Sequence, residues 1–299
     1  MPGAVTRLAA LGVRVEGHPL RGIRYADARH RADAPFRRGD GLGVRRTVLH
    51  AALFTRATSL GIPVTPARVV SFAQDEACVT ATAGGTITAR YLVAADGLHS
   101  PIRRSLGLDP PAARHPRYGL RRHYRIPPWT DLVEVHWAAD REAYITPVAA
   151  DLVGVAILGG AAPGGLESRL RAFPALAARL ADAPVASDVR GAGPMRQDVG
   201  RRVAGRVLLV GDAAGYLDAL TGEGIGAALA QAEVLAGCLA AGRPGDYERA
   251  WRRVTAKSRA LTRGLLWSGH QPLLRPRIAA AAHLMPWVFT AIVDQVAWA

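Results

Sequence analysis

The sequence has little cysteine, lysine or aromatic content, and each shortage excludes something. Cys78 and Cys238 are the only cysteines in 299 residues. Two thiols so far apart exclude a disulfide scaffold and a paired-cysteine zinc site, and they suit a reducing, cytoplasmic setting. Of 38 basic residues only Lys257 is a lysine, so the formal charge of +14 rests on arginines scattered from Arg7 to Arg277. A nucleic-acid binder would cluster its basic residues within a recognisable module. Neither is present, so the charge reads as a genomic codon bias and no nucleic-acid partner is expected. The segment Ile278–Ala299 is apolar but is interrupted by His283, Pro286, Asp294 and Gln295. Its unbroken run is well short of the roughly 18 residues of a membrane span. It reads as a packed terminal helix, with a helix lying on a membrane surface as the alternative. Residues 1–15 lack the pattern of a signal peptide. There is no GxSxG elbow and no cluster of metal-ligand residues.

What is present is ordinary globular composition: 49% hydrophobic and 21% charged residues, enough for a sizeable core. Val5–Leu11 reads as a helix ended by Gly12, followed by a strand around Val13. His18–Phe36 reads as a hairpin or meander. Leu49, Leu53, Ala57 and Leu60 mark a helix over Thr47–Leu60, closed by Gly61. Val64–Phe72, Cys78–Thr82 and Thr86–Ala95 read as strands. Tyr118–Arg125, Leu132–Trp137, Ala143–Val148 and Leu152–Leu158 predict four antiparallel strands. Leu166–Leu180 reads as one helix. Arg206–Val210 is a short buried strand before a long alanine-rich helix, and the remainder is mostly helical.

Two segments carry chemistry. In the first, the strand ending at Val210 delivers Gly211 and Asp212 at its carboxyl end, where parallel α/β sheets bind ligands. Gly222, Gly224 and Gly226 then let backbone approach a ligand at a helix start, where free N–H groups favour negative charge. Asp212 can accept hydrogen bonds from a sugar-like hydroxyl. The competing reading is a tight strand–loop–helix whose glycines serve packing only. In the second, a strand ends at Asp96 and Gly97, Ser100 is suited to cap a helix, and Pro101 to start it. There Asp96 can hold a backbone or ligand hydroxyl, and Arg103 or Arg104 can meet a phosphate. The competing reading is a capped turn with solvated arginines.

Together these segments resemble the flavoprotein family of para-hydroxybenzoate hydroxylase and geranylgeranyl reductase. Asp96, Gly97, Ser100 and Arg103 are similar to that family's DG motif, near the FAD pyrophosphate and the NAD(P)H approach. Gly211, Asp212, Gly222, Gly224 and Ile225 are similar to its GD motif, whose aspartate binds the ribityl chain and whose helix points at the flavin pyrimidine. Arg46, ahead of Leu49 and Leu53, resembles the arginine of a helix that contacts FAD. Val69 corresponds to a residue giving a backbone contact to adenine. The resemblance covers nearly the whole chain. It implies a Rossmann-like three-layer α/β FAD-binding domain with an antiparallel-sheet substrate domain and a helical C-terminus. It also implies FAD as cofactor, NAD(P)H as reductant and no catalytic side chain that can be named in advance.

The expected organisation is an FAD-binding domain at 1–115 and 190–243, a substrate domain at 116–189 and a helical segment at 244–299. Residues 13–40 are candidates to pack with the substrate sheet. The expected reaction is monooxygenation or double-bond reduction of an apolar or aromatic small molecule, with Tyr124, Trp137 and Tyr144 candidates to line its site. The family's opening strand, GxGxxG loop and helix have no counterpart: Gly39, Gly41 and Gly43 are wrongly spaced and follow no strand. The strand at Arg206–Val210 is accordingly expected to show an unpaired edge. Of three readings, a start downstream of the natural one, a natural fragment and a degenerate member without activity, the first is preferred. Ala219 departs from a proline common in the family.

Overall fold

Strict alternation of side chains builds the largest sheet. Along Arg141–Ala149, Ala143 and Ile145 point to one face while Tyr144 and Thr146 point to the other. Successive strand residues face opposite sides, so such a strand needs two apolar coverings. The computed structural model describes residues 1–111, 113–161 and 163–298, and in it both faces are covered. Helices Leu166–Leu170 and Pro174–Leu180 pack Leu166, Leu170, Leu176 and Leu180 against Val153, Val155 and Ile157. Helices Ile278–Leu284 and Pro286–Ala297 cover the opposite face, at Ile23, Ala34, Val135 and Trp137. Ala299 lies outside the described residues.

The sheet has seven strands, in the order Arg190–Ala192, Arg117–Arg125, Leu152–Gly160, Arg141–Ala149, Leu132–Trp137, Gly22–Ala26 and Arg31–Pro35. All four strands predicted between 117 and 160 are present. The sheet is not wholly antiparallel, because Leu132–Trp137 pairs parallel with Gly22–Ala26. Of the 13–40 region, that joint brings the Gly22–Ala26 and Arg31–Pro35 hairpin into the sheet, while His18–Leu20 pairs in a separate two-stranded ribbon.

A second, smaller unit holds the two motif segments. Val207–Leu209 is fully buried and pairs parallel with Leu92–Ala94. Its other edge pairs with Val203–Ala204. This corrects the expected open edge at Arg206–Val210: both sides of that strand are occupied. Among the described residues, no strand pairs with the outer edge of Leu92–Ala94. The long helix Gly224–Ala240 and the longer Tyr247–His270 cover this unit, with Leu235, Tyr247 and Trp251 in its core. The buried Tyr247 hydroxyl donates to the Leu209 carbonyl at 3.0 Å.

Several element boundaries differ from expectation for identifiable reasons. Leu166–Leu180 is two helices, because Pro174 cannot donate to a preceding turn and starts the second one. Thr86–Ala95 is also split: Thr86–Ala89 joins a small meander with Ser71–Gln74 and Val79–Thr82, whereas Leu92–Ala94 joins the parallel pair. Residues 62–70 lie outside any strand, which begins only at Ser71. The segment around Val13 is likewise no strand, although Val13 is buried beside Leu8 and Leu49. Helices Pro2–Ala10 and Arg46–Ser59 form as predicted, each followed by a glycine at positive φ, Gly12 at 72° and Gly61 at 72°.

Candidate active site

The carboxyl end of Val207–Leu209 turns into a short 3-10 segment, Gly211–Ala214. Gly211 sits at φ 66°, a conformation that favours glycine, and its N–H donates to Gln231 Oε1 at 2.9 Å. That bond ties the turn to the middle of helix Gly224–Ala240. Asp212 follows, and burial raises its carboxyl pKa, with the Arg46 charge opposing the rise. Its side chain accepts no hydrogen bond among the described residues. Asp212 is half-buried, so its carboxylate keeps its acceptor capacity open to a ligand at the turn.

The helix that faces this turn begins without a side-chain cap. The N–H groups of Gly224, Ile225 and Gly226 have no acceptor among the described residues, and the first bond into this end comes from Ala227 to the Glu223 carbonyl. Such a terminus attracts negative charge. Gly222 reaches it at φ 65°. The Tyr216 ring lies against Gly224, 3.7 Å from where a Cβ would project. Burial pushes the Tyr216 hydroxyl pKa up, and the charges of Asp212 and Asp218 add to that. Glu223 is half-buried; burial raises its carboxyl pKa while the Thr262 hydroxyl, donating at 2.9 Å, opposes the rise. The Thr221 and Ser258 hydroxyls oppose the rise as well.

The structure therefore unites Arg46, Gly211, Asp212, Gly222, Gly224 and Ile225 around one turn and one helix start. Arg46 is exposed at the first residue of its helix and acts on Asp212 and Tyr216 through its charge. Asp96 and Gly97 lie at the neighbouring strand end. Asp96 Oδ2 accepts from the Ile102 N–H at 3.2 Å, and Ser100 accepts from the Arg103 N–H at 3.0 Å. Asp96 thus helps cap the short helix Pro101–Ser105, the bland alternative for this segment. Gly97, at φ 84°, leaves open space beside it. Val69 lies half-buried in the extended stretch before Ser71 and shares no hydrogen bond or ion pair with these residues among those described.

Arg103 does not present a phosphate-binding face. It is 2% exposed and spends its guanidinium on Asp109 at 2.8 Å, the Leu98 carbonyl at 3.0 Å, Gln197 Oε1 at 3.2 Å and the Ala213 carbonyl at 3.3 Å. It is a clamp between the two motif loops. The exposed Arg104 pairs with Asp109 as well.

A cavity of about 630 Å³ opens between the large sheet and the C-terminal helices. Ile23, Tyr25, Val135, Tyr144 and Phe289 line it, together with Gly222 and Ile225 of the helix start. Tyr144 is a lining residue as expected, its hydroxyl donating to the Leu220 carbonyl at 3.0 Å. Tyr124 instead packs in the core on the opposite face, and Trp137 packs edge-on to Tyr25 behind the wall.

Residues 5–120 match the family model described as an FAD binding domain. The chain has the FAD-binding flavoprotein fold. Protein CbrA of Escherichia coli O6:H1 (strain CFT073) is 29% identical over 230 residues, 70% of this chain, and the match spans 56% of that protein's length. Among solved structures, a flavoprotein/dehydrogenase from Cytophaga hutchinsonii superposes with a TM-score of 0.81 at 18% identity, covering 99% of this chain and 79% of that one. The flavin-dependent brominase Bmp2 gives 0.79 at 15%, covering 100% and 83%. The Diels-Alderase PyrE3 gives 0.74 at 22%, covering 100% and 71%. At these identities the structures speak for the fold. The resemblance to the hydroxylase-type flavoproteins read from the motifs therefore stands. The chain's own residues fit an FAD: Asp212 is a half-buried acceptor with no donor among the described residues, as a ribityl hydroxyl requires, and the free helix terminus suits an anionic flavin edge.

Sequence reading missed Tyr216, Glu223 and Gln231. Glu223 had a signal, a carboxylate set between two glycines at a helix start. Gln231 had one as well, as a polar residue in an alanine-rich run. Tyr216 had none beyond its place after Gly215.

Proposed function

We propose that the chain is part of an FAD-dependent oxidoreductase that takes electrons from NAD(P)H and acts on an apolar small molecule, by monooxygenation or double-bond reduction. The carrying observation is the shared residue set: Gly222 and Ile225 belong both to the free helix start and to the wall of the apolar cavity. A molecule in that cavity would lie against the groups that hold the flavin.

Flavin, when bound, supplies the electron transfer, and the protein supplies position and electrostatics. Asp212 would accept from the ribityl chain. Arg46 would meet a cofactor phosphate or the charge near Asp212. The N–H groups of Gly224, Ile225 and Gly226 would stabilise negative charge that appears on reduction. Ile23, Val135 and Phe289 would exclude water from the substrate. Tyr25 and Tyr144 keep their hydroxyl protons, since burial raises both pKa values.

Titrating the purified chain with FAD and following flavin absorbance and fluorescence tests the cofactor. Bound flavin that NADH or NADPH bleaches under anaerobic conditions is the expected result. Substrate-dependent reoxidation with apolar aromatic or polyprenyl compounds then separates the two chemistries. A chain that takes up no FAD would support the alternative of a flavin-fold protein without activity.

A further inference from the structure

Arginines far apart in the sequence converge on one cleft outside the flavin-type site. Arg202, Arg252, Arg259 and Arg263 line a cavity of about 510 Å³, and Asp198 is the one carboxylate among its lining residues. Asp198 is shared: Arg196 lies 2.6 Å from it, Arg259 3.4 Å and Arg263 4.0 Å. Glu248 serves Arg202 at 2.6 Å and Arg252 at 3.2 Å. Five arginines thus face two carboxylates, and the surplus is concentrated around Arg259.

Arg202 is nearly buried and fully used. Its guanidinium stacks over Trp251, 3.7 Å from the ring centroid, and donates to the Ala214 carbonyl. It forms the rigid floor. Arg259, 16% exposed, stands over the same ring, 5.1 Å from its centroid. Among the described residues its only hydrogen-bond partner is the overshared Asp198. Burial lowers its pKa, and the neighbouring Arg263 lowers it further. A guanidinium held in that way gains most from an incoming anion. Arg252 and Arg263 are exposed on the rim, each paired with a carboxylate that another arginine shares. Gly200 leaves open space in the wall.

We propose that this cleft is a binding site for the phosphate or diphosphate group of a small molecule, separate from the flavin-type site. Planar guanidinium forks match phosphate oxygens in pairs. One orthophosphate would leave much of the volume empty, so the cleft has room for an ester or a diphosphate. Trp251, Thr255 and Arg259 form the partition between this cleft and the small polar hollow at Asp212, Glu223 and Gly224. An occupant would therefore press on the back of the helix start without entering it.

Calorimetric titration with inorganic pyrophosphate and with glycerol 2-phosphate, against sodium chloride of matched ionic strength, tests the site. Saturable binding is expected for at least one, weakening as salt is added. Arg259→Gln should weaken it at least about tenfold. Arg263→Gln, at an exposed rim position that leaves the fold alone, should weaken it by a smaller factor. Arg46→Ala should leave it unchanged, because the flavin-type site is elsewhere. Heat no greater than that of matched chloride would overturn the proposal. So would binding that survives both cleft substitutions, or that disappears with Arg46→Ala.

Discussion

Asp212 and Arg103 show how differently two charged residues of neighbouring motifs are used. Asp212 is half-buried with no donor among the described residues, so its oxygens are open to a ligand. Replacing it by Ala should weaken FAD binding about ten- to a hundredfold, the range for a hydrogen bond to a charged group, in a fluorescence titration. Arg103 has burial with every guanidinium nitrogen bonded to protein. Arg103→Met would leave two carbonyls, Gln197 and Asp109 short of a donor and should cost about 3 kcal/mol in denaturant unfolding. Glu223 is the pH-sensitive residue. Its folded pKa is raised, so its stabilising contribution is complete below its ordinary value and is lost as pH rises through the folded value. Glu223→Gln should therefore raise the melting temperature at pH 8 and change it little at pH 4, read by calorimetry.

At the scale of elements, close backbone contacts decide where glycine is required. Gly41–Gly43 pairs with His18–Leu20, and a Cβ on Gly43 would lie 1.8 Å from the Pro147 carbonyl oxygen. The glycine-rich stretch that resembled a mis-spaced phosphate loop is thus a packing site between the short ribbon and the large sheet. Gly43→Ala should destabilise the protein by several kcal/mol or prevent soluble expression, a loss visible in a thermal melt. Three helix ends follow local rules: glycine after Pro2–Ala10 and Arg46–Ser59, serine before Pro101–Ser105. The division of Thr86–Ala95 between two sheets followed no local rule, because which sheet receives Leu92–Ala94 depends on Val207–Leu209, more than 100 residues later.

At the scale of the whole molecule, buried ion networks join the sheet to the motif loops. Arg117 lies 2.8 Å from Asp218 and 3.0 Å from Glu142, and Arg275 lies 3.2 Å from Glu142. The network connects the first strand of the 117–160 region, the loop before the helix start and the C-terminal segment. A second one surrounds Glu134. Burial alone would raise its pKa, but bonds with His136, Arg24 and Trp129 hold it down at about 2. A depressed carboxyl contributes stability above its ordinary value, lost as pH falls from about 4.5 towards about 2. Glu134→Gln should flatten the acid limb of a stability–pH curve by on the order of 2 kcal/mol, measured by urea unfolding. The C-terminal helices take part in this core. No single helix among the described residues is long and apolar enough to cross a membrane, and the last two meet at 105° around Met285.

The sequence by itself determined the motifs that resemble those of flavoproteins, the limits of helix Arg46–Ser59 to within a residue, the start of helix Pro101–Ser105 and the four central strands. Each depends on local rules: side-chain period, capping chemistry and the backbone freedom of Gly211 and Gly222. Only the tertiary structure decided that Arg103 is a clamp, that Tyr144 rather than Tyr124 or Trp137 meets the cavity, and that Gly22–Ala26 pairs parallel with Leu132–Trp137. It also decided the meaning of the arginines. They carry no pattern along the chain, yet Arg196, Arg202, Arg252, Arg259 and Arg263 converge because a loop and a long helix pack side by side. Charge surplus is a property of distance in space, and spacing in sequence does not report it.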